Sequence, residues 1–205
     1  MGRIIRDFKA WVGHGVDLVR ILKFNFRNPH SYTKFRMICS FKEKAGCHVL
    51  IEAGTYHGVM ADRCSAIFDK VYTIELDEGL ARRASCYLRD KRNVSVICGD
   101  ALKILSGILE KDEVRDVLVY LDGHFSGEGT ACGELAEPAV EELNVLSKHK
   151  SKVHAIVVDD FRSFGTEAGF PSKSSLLKSA EDAFGGGSFE ITVHLDQPLI
   201  VKKEV

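Results

Sequence analysis

A chain of 205 residues, 45% hydrophobic and 28% charged, is long enough for one well-buried domain and too short for two ordinary ones. Its formal net charge of −1 gives no reason to expect nucleic acid as a partner, and no apolar run reaches the roughly 18 residues needed to span a bilayer. Six cysteines, at 39, 47, 64, 86, 98 and 132, have neither CxxC nor zinc spacing. Free thiols without a disulfide pattern suit a reducing compartment, so a cytoplasmic location is expected.

Charge is unevenly spread. Residues 1–45 hold ten Lys/Arg against three acids, a balance of +7, which leaves −8 for the remaining 160. Within this segment Ile4, Ile5, Phe8, Trp11, Val12, Val16, Leu18, Val19, Ile21 and Leu22 recur at near-helical spacing, with basic residues between them. Gly13 and Gly15 weaken a continuous helix there, Asn28-Pro29 breaks the segment, and a further helix is expected over 31–44. The extension 1–45 is expected to pack on the rest of the chain as a lid or homodimer contact. A basic amphipathic helix on a polyanion or in peripheral contact with an anionic membrane through residues 1–27 is the second reading, and disorder the third.

From residue 46 to 205 the pattern is that of one α/β domain. Apolar, β-rich runs at 48–51, 70–74, 94–98, 114–121 and 155–158 alternate with helical stretches near 57–68, 78–90, 101–110, 133–148 and 172–184. Unbroken apolar strands alternating with helices predict a Rossmann-like, doubly wound parallel sheet covered on both faces. The last two runs, 189–194 and 199–203, are separated only by Asp196-Gln197-Pro198, too short for a helical crossover. They are expected to close the sheet as an antiparallel hairpin.

Candidate ligand contacts gather at the predicted carboxyl ends of the strands. Glu52-Ala53-Gly54-Thr55-Tyr56-His57-Gly58 leads from the first strand into a helix, and Glu75 ends the second strand. A strand, a glycine-bearing turn and an acid about 20 residues further on fit a ribose diol and its nucleoside. Tyr56 stands where a dinucleotide loop needs its middle glycine, so pyrophosphate fits poorly, and Glu52 would repel phosphate. Those features favour a cationic, phosphate-free cofactor, S-adenosylmethionine, over a nicotinamide dinucleotide. Asp77 is placed to cap the next helix. Gly99-Asp100-Ala101 follows the third strand, where Asp100 can accept from an adenine amino group or cap a helix, and Ala101 leaves room for the ring.

The fourth and fifth strands end in Asp122-Gly123-His124 and Asp159-Asp160. Three carboxylates and an imidazole on one rim need a cation or proton to neutralise them. Asp122, Asp159 and Asp160 are therefore candidate Mg²⁺ ligands, and His124 a candidate base, with acids that cap the following loops without a metal as the alternative. The glycine-rich segment 126–130 is expected to serve as a substrate gate.

Taken together, Glu52-Ala-Gly54-Thr55-Tyr56-His-Gly58, Glu75, Gly99-Asp100-Ala101 and Leu121-Asp122-Gly123 resemble the successive motifs of class I S-adenosylmethionine-dependent methyltransferases. The resemblance covers roughly 48–203. The loop is similar to that of catechol- and caffeoyl-CoA-type O-methyltransferases, and Leu-Asp-Gly with a later Asp-Asp is similar to the macrocin group. It implies methylation of a small-molecule or sugar hydroxyl, with a divalent cation held by Asp122, Asp159 and Asp160. Phe125 stands where the catechol type has a lysine, which leaves His124 as the base. The tetrapeptide of amino-methyltransferases acting on nucleobases is absent. Two other readings remain: a metal-independent methyltransferase using His124, and a non-catalytic adaptor binding a partner or membrane through the extension.

Overall fold

The computed structural model describes residues 3–25, 28–123, 135 and 137–203. Its elements, in chain order, are α1 (Arg3–Leu22), α2 (Ser31–Lys44), β1 (Val49–Ala53), α3 (Val59–Cys64), β2 (Lys70–Glu75), α4 (Glu78–Tyr87), β3 (Val94–Cys98), α5 (Ala101–Leu109), β4 (Val117–Leu121), α6 (Ala139–Ser147), β5 (Val153–Val158), α7 (Lys173–Phe184), β6 (Phe189–His194) and β7 (Gln197–Lys202). The seven strands form one sheet in the order β3-β2-β1-β4-β5-β7-β6, parallel as far as β5 and closed by antiparallel β7 and β6.

Burial on both faces follows from the side-chain alternation of each strand. In β1, Val49, Ile51 and Ala53 join a core completed by Leu105 and Leu109 of α5, Leu143 and Leu146 of α6, and Leu176 and Phe184 of α7. Leu50, between them, faces the other core with Ile38 of α2, Ala61 and Cys64 of α3, and Tyr120. Part of the N-terminal extension is thus a working layer of the fold, since α2 covers the sheet itself.

The expected elements are all present, with shifted ends. β4 starts at Val117 rather than 114 because Asp116 adopts φ +52°, a left-handed conformation that interrupts a strand. α3 starts only after Gly58 at φ +73° and is shorter than the expected 57–68. The hairpin turn tightens to Leu195-Asp196, so Gln197 and Pro198 belong to β7. α1 runs unbroken through both glycines. A side chain at Gly13 would come within 2.9 Å of the His30 ring, so that glycine lets the start of α2 press against α1.

Candidate active site

Three loops meet at the carboxyl edge of β2, β1 and β4, where the strand order reverses direction. Crevices of open α/β sheets form at such points. The first loop is constrained by its neighbours. At Gly54, φ is +94°, and an added Cβ would lie 2.2 Å from the Asp122 carbonyl oxygen, so only glycine lets β1 and the end of β4 come this close. Tyr56 is left-handed at φ +49°, and its exposed ring lies 3.9 Å, centroid to centroid, from that of His57.

Glu75 is the fixed point of the crevice. It is 7% exposed, and its two oxygens accept from the backbone N–H of Tyr56 at 2.7 Å and of Asp77 at 3.0 Å. Two backbone donors orient the carboxylate and leave each oxygen a further lone pair. The side chain of Asp77 caps α4 by accepting from Leu80 N–H at 2.7 Å, and that of Asp100 caps α5 by accepting from Leu102 N–H at 3.0 Å. Ala101, the first residue of α5, is half-buried beside it.

Other loop residues point inward. Thr55 is buried with its hydroxyl 2.5 Å from that of Thr73, which donates to Glu52 Oε2 at 2.6 Å. Glu52 is therefore a member of a buried chain inside the sheet face, where burial pushes its carboxyl up to about 8. Burial thus favours its protonated form and weakens the phosphate repulsion expected of it.

The rim acids assemble as the strand order requires. Leu121 pairs with Val158, and Asp159 N–H donates to Leu121 O at 2.9 Å, which sets Asp122 beside Asp159. Burial, then the neighbouring Asp159, raise the Asp122 carboxyl well above its ordinary range, against the pull of Lys34. His124 and the segment 126–130 lie outside the described residues.

A cation from elsewhere in the chain meets this cluster. Lys34 of α2 places Nζ 2.6 Å from Asp159 Oδ2 and 3.0 Å from Asp160 Oδ1. Burial alone would lower its pKa, but the surrounding carboxylates, Asp159 first, hold the ammonium above its ordinary range. Asp159 Oδ2 also accepts from the Tyr120 hydroxyl, and Oδ1 from Gln197 Nε2 at 3.0 Å and Asp160 N–H at 2.8 Å. Arg162 Nη1 contacts Asp160 Oδ1 at 2.7 Å and Asp196 Oδ2 at 2.5 Å. Burial would raise the Asp160 carboxyl, yet Lys34 and Arg162 hold it below the usual carboxylate range.

This donor set does not fit the Mg²⁺ expected on Asp122, Asp159 and Asp160. Asp159 accepts four hydrogen bonds, which accounts for all its lone-pair positions. Among the described residues no group of three or more His, Cys, Asp or Glu side chains forms a metal-ligating cluster. The charge that the sequence assigned to a divalent ion is supplied by an ammonium and a guanidinium.

Lys34, Arg162, Asp196 and Gln197 were not picked out from the sequence. Only Lys34 carried a local signal: at i−3 and i−4 from Met37 and Ile38, it sits within the buried stripe of α2. A separate cavity of about 560 Å³, lined by His48, Lys70, Glu113 and Asp116 among others, opens at the amino-terminal edge of the sheet, away from the crevice.

Solved structures share this architecture. TomG of Streptomyces achromogenes, an O-methyltransferase of tomaymycin synthesis in complex with SAM, matches with a TM-score of 0.60 and 14% identity over 85% of this chain and 81% of that one. An O-methyltransferase of Bacillus cereus in complex with SAH gives 0.59 and 16% over 83% and 81%. SAH-bound methyltransferase PaMTH1 of Podospora anserina gives 0.60 and 13% over 85% and 80%. No protein-family description and no curated protein sequence matches the chain. The shared fold is the α/β methyltransferase fold: a mostly parallel seven-stranded sheet ending in an antiparallel hairpin.

Proposed function

We propose that this chain is an S-adenosylmethionine-dependent O-methyltransferase acting on a small-molecule or sugar hydroxyl, and that it works without a divalent cation. The observation that carries the reading is Glu75, a buried carboxylate at the crevice, oriented by two backbone N–H groups and with lone pairs to spare for a ribose diol. The solved neighbours that bind SAM or SAH support it through their common fold.

The residues present suit that cofactor. Tyr56 in the turn and acids at the tips of β2 and β3 favour a phosphate-free nucleoside over a dinucleotide. Glu75 would hold the ribose, Asp100 and Ala101 the adenine, and the loop from Gly54 to Gly58 the remainder. When bound, S-adenosylmethionine supplies a sulfonium-activated methyl group. The protein's share is placement, which can contribute roughly 7–11 kcal/mol in well-oriented systems, and removal of the hydroxyl proton. Asp122, with its proton affinity raised by burial and by Asp159, is suited to receive that proton, as is His124 two residues on. Lys34 is the resident cation that pairs with Asp159 and Asp160 beside it.

Calorimetry with S-adenosylhomocysteine tests the reading. The wild type binds, and Glu75→Gln weakens binding by about tenfold or more, the value of one lost charge-assisted contact. A wild type that fails to bind, or a Glu75→Gln protein that binds equally well, overturns it. Methyl transfer abolished by exhaustive chelation and restored by Mg²⁺ would overturn the metal-free part alone.

A further inference from the structure

α1 is mounted with its charged side inward. Arg3 pairs with Asp90 at 2.7 Å, Arg6 with the buried Asp62 at 2.6 Å, and Asp17 accepts from the Thr33 hydroxyl at 2.5 Å and from His30 N–H at 2.6 Å. At 100° per residue the opposite side presents Phe8, Trp11, Val12, Val16, Val19 and Leu22 as one stripe. Phe8 and Trp11 are 67% and 66% exposed, and Leu22 is 80% exposed. Surface helices normally bury such a stripe, and a contiguous apolar patch left in water marks an interaction site.

We propose that this face docks α1 in the plane of an anionic lipid bilayer. Charge selects that occupant. Arg3, Arg6, Lys34 and Lys44 are spent on internal ion pairs, but Lys9 and Lys23 beside the stripe face solvent, and a second copy would bring them together whereas an anionic surface complements them. Lys9 and Lys23 are exposed and sit at one border of the stripe, where their stems can lie along lipid while the ammonium groups reach headgroups. Trp11, near mid-length of the helix, is a residue favoured at the membrane interface. With 20 residues, α1 is about 30 Å long, and no helix among the described residues is long and apolar enough to cross a membrane. The geometry is that of a helix lying on a bilayer. The ion pairs around Asp62 fix its orientation in advance, so docking costs little further ordering.

The chain's single tryptophan is Trp11, which makes the test direct. Added to phosphatidylcholine vesicles containing about one-third phosphatidylglycerol, the protein co-sediments and its fluorescence shifts to the blue, both weakening with salt. The double variant Phe8→Ser/Leu22→Ser keeps its melting curve and S-adenosylhomocysteine binding, because both side chains are exposed, and loses vesicle affinity by about tenfold or more. Three outcomes overturn the proposal: no partition to these vesicles, equal partition to pure phosphatidylcholine, or a dimer in light scattering that the double variant dissociates, which would show that a second copy covers the face.

Discussion

The ammonium of Lys34, on the second helix, lies 2.6 Å from the carboxylate of Asp159, 125 residues later at the end of the fifth strand. Lys34 is 13% exposed and the Asp159 side chain is fully buried, so each is the other's main compensation for leaving water. Lys34→Met is expected to destabilise the protein by about 3–5 kcal/mol, since it leaves a buried carboxylate unpaired. Asp159→Asn in the same chain should recover part of that loss. Urea denaturation of the two single variants and the double variant measures the coupling, and strict additivity would show that the contact is energetically idle.

Two glycine substitutions should have opposite signs. Gly54→Ala drives a Cβ to 2.2 Å from the Asp122 carbonyl at a φ of +94°, so a loss of about 3 kcal/mol or more and loss of S-adenosylhomocysteine binding are expected. Gly15 lies inside α1 with nothing within 4 Å of an added Cβ, and Gly15→Ala is expected to stabilise by about 0.5–1 kcal/mol. Thermal melts of both proteins decide the point.

Stability should fall as pH rises from about 5 to 8. Glu142 is 1% exposed, and burial, with Glu137 and Asp100 nearby, pushes its carboxyl from 4.5 up to about 8. Between those values the folded chain keeps a proton that the unfolded chain has released, which costs about 1.4 kcal/mol per pH unit. Glu52, raised to about 8, and Glu137, raised to about 7, act in the same direction. Glu142→Gln should flatten the slope of urea midpoint against pH. A slope unchanged by that substitution would locate the proton uptake elsewhere.

Asp62 is the anchor for α1. It is 4% exposed and lies within ion-pair distance of Arg3, Arg6 and Lys91, with the Tyr87 hydroxyl donating to it at 3.1 Å. Asp62→Ala is expected to cost about 3 kcal/mol and to raise amide exchange along α1 more than in the sheet. Equal exchange gains throughout the molecule would argue that α1 is not separately anchored.

The alternation of apolar strands with helices was legible because β1, β2, β4 and β5 bury both faces against their neighbours, a local requirement written in local sequence. Asp77 and Asp100 were legible as helix caps, because a strand tip followed by a helix start fixes where a capping acid stands. The hairpin was legible from its short separator. Thr55 and Glu52 were harder to read, because the pleat of the first strand and the turn after it, seen only in three dimensions, aim both side chains into the sheet at Thr73.

The order of residues by itself determined a doubly wound sheet with an antiparallel close and three acids at the tips of neighbouring strands, since these depend on side-chain period and strand-end spacing. Only the tertiary structure decided that Lys34 meets the rim acids and which side of α1 meets solvent. Both outcomes rest on partners far apart in the chain, Lys34 with Asp159 and Arg6 with Asp62, and contacts of that kind exist only once α1 and α2 have docked.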